Sequence, residues 1–222
     1  MARKTKEEAM ETRARLLESA LVAMSEKSFS KVSMNEIAEN IGFSKGAAYW
    51  HFKNKGDLLV NLIESLCEDG RKEFESNCAA PDAAGAVRSY FREKMSESIH
   101  SERYKRINKL FQRKMEWPED VWGRVYSLMR GWAESERRMV ERLLVKAQGE
   151  GMIRPDVSAG ELSAVITAIF HGLMVFQLEG IFSVGMDLLK QTDFIFDAFS
   201  KELESPDPND TNKYNFQKEQ VR

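Results

Sequence analysis

Apolar positions recur along this chain three and four residues apart, and almost nowhere in the alternation of a half-buried strand. The first clear stripe, Leu16, Leu17, Ala20, Leu21 and Met24, predicts an amphipathic helix over about 6–25. The segment "SMNEIAENIG" carries its own limits: Ser33 followed by Glu36 has the form of a capping box, and Gly42 is a C-terminal stop. Ser44 caps a short helix reaching His51. A fourth helix starts near Asn54–Gly56, with Asp57 in its first turn suited to the helix dipole, and runs to Asn77.

After the break "NCAAPDAAG" the pattern resumes over 83–99, 103–115, 119–148, 158–181 and 187–204, with stops at Pro118, between Gly149 and Pro155, and at Gly185. The polar, proline-containing tail from Ser205 predicts disorder over 205–222. The expectation is an all-α protein of about nine helices. Residues 1–55 form a three-helix head. Residues 56–204 form a helical body, whose first helix, 56–77, connects the two.

Two short helices joined by a glycine-containing turn have the form of a helix-turn-helix, in which the second helix lies in the major groove of DNA. Ile37, Ala38 and Ile41 supply the apolar face of the bracing helix, Phe43 fills the space under the turn, and Ala47 and Ala48 let the helices approach. This leaves Ser44, Lys45, Gly46, Tyr49, Trp50 and His51 facing outward. Hydroxyls and lysine donate to phosphates and base edges, a bare glycine lets backbone approach the duplex, and rings pack on sugars and thymine methyls. Phe52 is expected in the core. Lys53 and Lys55 add positive charge at a helix start that already offers free N–H groups, a combination suited to a phosphate.

Charge changes this picture only slightly. The net charge is −2, but residues 1–60 hold ten Lys and Arg against eight Asp and Glu, and the remainder 23 against 27. A small DNA-reading head on an acidic body is compatible with that tilt.

The run "ETRARLLESALVAMSEKSFSKVSMNEIAENIGFSKGAAYWHFKNKGDLL" resembles the N-terminal domain of the TetR/AcrR family of bacterial transcriptional repressors, and "MARKTKEEAMETR" resembles the opening of its efflux-pump branch. "EGMIRPDVSAGELSAVITAIFHGL" resembles the family's entry into its eighth helix. The resemblance implies three helices in a DNA head and six in a dimeric, ligand-binding body. It places Ser33 at a helix start that touches phosphate, Ser44, Lys45, Gly46, Tyr49, Trp50 and His51 on the recognition helix, and Lys55 at a phosphate-binding helix start. Ala48 and Gly56 depart from the family pattern. The first is expected to thin the packing under the recognition helix, and the second to loosen the fourth helix by up to about 1 kcal/mol.

In the body, Phe91, Met95, Phe111, Trp122, Tyr126, Met129, Phe170 and Met174 are the flat or adaptable residues that a pocket for a small hydrophobic effector uses, and that any helical core uses as well. Asn108 and Gln112, one turn apart, either supply the polar groups of that pocket or face water; His171 has the same two readings, as a ligand contact or a satisfied core histidine. The segments 158–181 and 187–204 are apolar nearly all round. Such helices need burial on every side, and they resemble the family's homodimer interface.

Other classes are poorly supported. His51, His100 and His171 are far apart, no Glu-x-x-His pattern or glycine-rich phosphate loop occurs, and the paired carboxylates fall on mixed-charge faces expected to be solvated, so neither an enzyme, a cofactor nor a metal is expected. Cys67 and Cys78 match neither a zinc spacing nor a disulfide framework. A charged N-terminus and the lack of an uninterrupted apolar run point to a cytoplasmic protein without a membrane span. The favoured function is a repressor that binds a palindromic operator in double-stranded DNA as a dimer. The alternatives are a DNA-binding regulator without small-molecule induction and, more remotely, a helical enzyme.

Overall fold

The computed structural model describes residues 6–77, 82–179, 181 and 187–200. The tail over 205–222, the end of the last helix over 201–204, Gly185 and Cys78 lie outside the described residues. Among those described, nine α-helices follow one another: α1 (Lys6–Glu26), α2 (Met34–Glu39), α3 (Lys45–His51), α4 (Lys55–Asn77), α5 (Ala83–His100), α6 (Glu102–Gln112), α7 (Glu119–Gly149), α8 (Ala159–Leu178) and α9 (Leu188–Phe199). Short 3-10 turns occupy Phe29–Lys31 and Lys114–Glu116. The second accounts for the helix expected over 103–115 ending early. Arg113 leaves the helical region at φ −93°, ψ 9°, and the chain tightens before Pro118.

The start of the chain folds as its local signals direct. Ser33 Oγ accepts the amide of Glu36 at 3.1 Å, and Ser44 Oγ accepts that of Ala47 at 3.3 Å, so each short helix has a capped N-terminus. Gly42 takes the left-handed conformation at φ 76°, which lets the Phe43 amide return to the Ala38 carbonyl at 2.9 Å and closes the turn. The α1 stripe is buried against α2, α3 and α4, and Ser19 Oγ donates to the Ile37 carbonyl at 2.8 Å inside that contact. Phe52, as expected, is a core residue; filling its site is worth roughly 2–3 kcal/mol by area alone.

This core continues past residue 55. Leu110 of α6, Trp117, and Val121 and Val125 of α7 belong to the same hydrophobic cluster as Leu16 and Phe52. Here the two small residues acquire different meanings. Ala48 is completely buried, part of the packing between α3 and its neighbours. Gly56 is a close-approach site: a Cβ there would fall 2.7 Å from Val121 Cγ2, inside van der Waals contact. The expectation that Gly56 merely loosens α4 is therefore corrected, because its missing side chain lets the first turn of α4 lie directly on α7.

A second cluster joins α5, α7, α8 and α9. Phe91 and Phe170 stack at 4.3 Å between ring centroids, and Phe196 lies 5.8 Å from Phe170. Ser158 and Glu161 form a reciprocal capping box at the start of α8. By length and composition α8 is apolar enough to cross a membrane, with 28% of the relevant window buried. This departs from the expectation drawn from uninterrupted apolar runs, since Ser163, Thr167 and His171 interrupt the run without lowering its mean hydropathy far.

Candidate DNA-reading face and effector cavity

The outer face of α3 carries the residues expected there. Tyr49 is 47% exposed and Trp50 73%, a costly display of ring surface for a helix with no ligand. The His51 ring meets the Trp50 indole edge-on at 4.5 Å, and Lys45 Nζ stands 5.6 Å from the Tyr49 ring, so the side chains form one continuous surface. A Cβ at Gly46 would meet only Ser44 Oγ, at 3.7 Å; the backbone there is open to an approaching molecule. Lys53 is exposed, with its amide donating to Asp57 Oδ2 at 3.0 Å.

Lys55 needs correction as a side-chain phosphate contact. Its ammonium donates to the backbone carbonyls of Phe29 and Val32, the latter at 2.7 Å, with Ser30 at 3.4 Å, and lies 4.4 Å from the Phe29 ring centroid. Burial pushes its pKa down. The side chain ties the 3-10 turn after α1 to the start of α4.

Between the two hydrophobic clusters lies a cavity of about 370 Å³, within the range of small-molecule sites. Helix α4 contributes Ile63, Leu66, Cys67, Asp69, Gly70 and Glu73; α5 contributes Lys94 and Glu97; α6 with its N-cap residue contributes Ser101, Arg103, Tyr104, Ile107, Asn108 and Phe111; α7 contributes Met129, Trp132 and Ala133; and α8 contributes His171 and Met174. Asn108, Phe111, Met129, His171 and Met174, named from the sequence as pocket candidates, all line this cavity. Asn108 also resolves its alternatives. It lines the cavity, its amide donating to the Tyr104 carbonyl at 2.8 Å, whereas Gln112 one turn on is exposed at the surface.

The other expected ligand contacts do not line this cavity. Phe91, Met95 and Phe170 are buried in the second cluster, where Phe91 and Phe170 stack on each other. Trp122 and Tyr126 share the α7 stripe of Met129 but lie nearer the start of that helix, past the cavity's end. There Trp122 packs on the head's cluster and Tyr126 is 54% exposed.

Sequence reasoning missed the buried polar cluster behind two cavity residues, Lys94 and His171. Glu136 of α7, which the sequence analysis did not single out, is the one charged residue fully buried among the described residues. Its Oε1 accepts from the Tyr90 hydroxyl and from Lys94 Nζ, and its Oε2 pairs with His171 Nε2 at 2.8 Å. Burial alone would raise this carboxyl, but the His171 hydrogen bond and the charge of Lys94 outweigh it and hold the carboxyl down at about 2. Burial and the neighbouring Glu136 push the Tyr90 phenol upward, so it stays a donor. Neighbouring Glu134, Arg137 and Arg138 do pair on the outer face of α7, which is why the whole run reads as solvated.

The cavity is joined to the head by direct contacts. Arg103, on its wall, reaches Asp69 of α4 at 2.9 Å and Glu18 of α1 at 3.5 Å; Arg124 of α7 reaches Asp57 of α4 at 3.5 Å.

Comparison with known proteins agrees with this arrangement. Residues 16–62 match the family model described as bacterial regulatory proteins, tetR family. The chain is 35% identical over 123 residues to the HTH-type transcriptional regulator TtgR of Pseudomonas putida, a match covering 54% of this chain and 59% of TtgR. It is 30% identical over 176 residues to the HTH-type transcriptional regulator AcrR of Shigella flexneri, covering 78% of this chain and 81% of AcrR. Among solved structures, the triclosan complex of SmeT, the repressor of the Stenotrophomonas maltophilia multidrug efflux pump SmeDEF, superposes with a TM-score of 0.67 at 20% identity, covering 86% of this chain and 93% of that one. With a helix-turn-helix head, a nine-helix order among the described residues and a relative matched over most of its length, the chain belongs to the TetR family of bacterial transcriptional regulators.

Proposed function

We propose that this chain is a cytoplasmic repressor that binds a palindromic operator as a homodimer and leaves it when a small, largely apolar molecule enters the cavity. One observation carries the reading: α4 supplies a wall of the cavity and, at its other end, the first turn keyed onto α7 beside the recognition helix. A molecule that fits one position of α4 better than another shifts the population of head orientations, and no further signal is needed.

In this reading Ser33 and the start of α4 hold phosphates, Ser44, Lys45, Gly46, Tyr49, Trp50 and His51 face the major groove, and Lys53 adds charge. Lys55 takes part through its backbone.

The dimer is supported by surface left open on one chain. Val165, Val175 and Phe176 of α8 are each close to half exposed, and Phe194 of α9 is 70% exposed. A two-fold partner covers such a patch and sets two recognition helices roughly 34–36 Å apart, one turn of DNA. SmeT, a repressor of like fold solved with triclosan, supports repression and induction by analogy only.

The test is an electrophoretic mobility shift on the promoter beside the chain's own gene. Specific retardation of a palindromic fragment, relieved by a small hydrophobic compound, is the expected result. Failure to prefer any palindrome over scrambled DNA would sink the proposal, and specific binding that no compound relieves would leave a regulator without induction.

A further inference from the structure

The recognition helix ends at His51, and what holds that end is a polar seam outside the cavity. Phe52 closes α3 and sinks into the core, and the next residue, Lys53, gives its backbone amide to Asp57 Oδ2 at 3.0 Å. Asp57 lies in the first turn of α4. Its other oxygen, Oδ1, meets the Arg124 guanidinium of α7 at 3.5 Å and the Asn61 side-chain amide at 3.4 Å. Asn61 Oδ1 in turn accepts from Arg13 of α1 at 2.6 Å, and the Arg13 guanidinium lies 5.6 Å from the Phe52 ring. One carboxylate therefore meets the chain leaving α3, the start of α7 and, through Asn61, α1.

The neighbouring contacts give this seam a mechanical meaning. Val121 and Arg124 stand three residues apart on α7, hence on one face. Val121 meets α4 at Gly56, where a methyl does not fit, and Arg124 meets it one residue on, at Asp57. A single apolar contact sets how closely two helices approach but leaves them free to turn about it. A directional hydrogen bond beside it opposes that turn, because such bonds weaken steeply off line. Arg124 is half exposed, so the pair contributes more to orientation than to stability.

We propose that Asp57 and Arg124 are positioning residues for DNA binding: together they fix the end of the recognition helix against α7, so that the body sets the angle of the DNA-reading surface. This rests on reading α3 as the helix that meets DNA. The glycine turn from α2 holds the start of α3 and the Asp57 seam holds its end, so the helix is gripped once by the head and once by the body. Both residues act through Lys53 and Phe52, with no DNA contact assigned to either.

The test compares the full chain with Arg124→Ala, Asp57→Ala and the double variant in two measurements. One is binding to the promoter fragment beside the chain's own gene; the other is exchange of the Lys53 amide, followed by NMR in lysine-labelled protein without DNA. Arg124→Ala is expected to weaken fragment binding about threefold and Asp57→Ala about tenfold, with the double variant no weaker than Asp57→Ala because the pair acts as one unit. The melting temperature of Arg124→Ala stays almost unchanged, the Lys53 amide exchanges several-fold faster in it, and Arg124→Lys restores most of the affinity. If Asp57→Ala does not fold, Asp57→Asn takes its place. Asparagine keeps an acceptor for Lys53 but removes the charge that Arg124 meets, so this variant matches Arg124→Ala, and adding Arg124→Ala to it changes nothing.

Unchanged binding in Arg124→Ala, additive losses in the double variant, losses that merely follow the melting temperature, or Lys53 exchange indifferent to Arg124 overturns the proposal. Absence of specific binding by the unmodified chain sinks the operator reading and this proposal together, whereas specific binding blind to Arg124 sinks the proposal alone. The two failures are therefore distinguishable.

Discussion

The two hydrophobic clusters that flank the cavity are built on different principles. The one shared by the head and the start of α7 is mostly aliphatic and depends on close fit: Ala48 is completely buried, and Gly56 has no room for a methyl beside Val121. The one around α5, α8 and α9 is centred on stacked phenyl rings, and beside it lies a buried carboxylate with lysine, histidine and tyrosine partners. A close-fitting aliphatic contact resists deformation and passes displacement on, since packed interiors have few alternative arrangements. A buried ionic cluster responds to charge and protonation. Under the proposed function, the first region would serve transmission and the second detection.

Four substitutions would break or sharpen that contrast. Removing a ring from the transmitting side, Phe52→Ala, is expected to cost about 3–5 kcal/mol in chemical denaturation and to abolish operator binding. An effect confined to ligand affinity would contradict the division of roles.

On the detecting side, Glu136→Gln leaves Lys94 without its charge partner and is expected to cost about 3 kcal/mol. The pH dependence has a definite sign. The Glu136 carboxyl is depressed when folded, to about 2, so its contribution is fully present above the ordinary carboxylate range and disappears as pH falls through that range to about 2. Thermal unfolding over this acid range should show a steeper loss in the unmodified chain than in Glu136→Gln. Parallel curves would mean that Glu136 carries no such linkage.

Gly56→Ala opposes two effects. Helix propensity alone favours alanine by about 1 kcal/mol, whereas overpacking against Val121 costs about 1–3 kcal/mol. Because the clash is with a buried side chain, a net loss of about 1 kcal/mol and weaker operator binding are expected, with both restored by adding Val121→Ala. A stabilised Gly56→Ala protein would show that α4 does not need this contact.

The smallest effect on stability belongs to Arg103→Ala. Its pairs with Glu18 and Asp69 are solvent-exposed, so under about 1 kcal/mol is expected. If Arg103 couples the cavity to α1 and α4, the concentration of effector needed to release operator should still change.

How legible these regions are from sequence follows from the range of their contacts. The head was readable because its devices are local. Ser33 reaches Glu36 and Ser44 reaches Ala47, each three residues away, and the spacing of Leu16, Leu17, Ala20 and Leu21 shows which side of α1 is buried. The exposure of Tyr49 and Trp50 followed by elimination, because adjacent rings on one helix cannot all face inward. The cavity was readable only in part. Met129 and Tyr126 are equally good pocket residues by type and lie on one stripe of α7, yet only Met129 falls within the cavity's length.

By itself, then, the sequence determined the helical class, the order of the elements, the capped helix-turn-helix and its outward rings, since all of these depend on residues within one or two turns of each other. Only the tertiary structure decided that Lys55 is taken up by the carbonyls of Phe29 and Val32, that Gly56 makes room for Val121, and that Glu136 lies inside among Tyr90, Lys94 and His171. Those partners stand more than twenty residues apart in the chain. No pattern along one helix carries that information, because it resides in how separate helices are brought face to face.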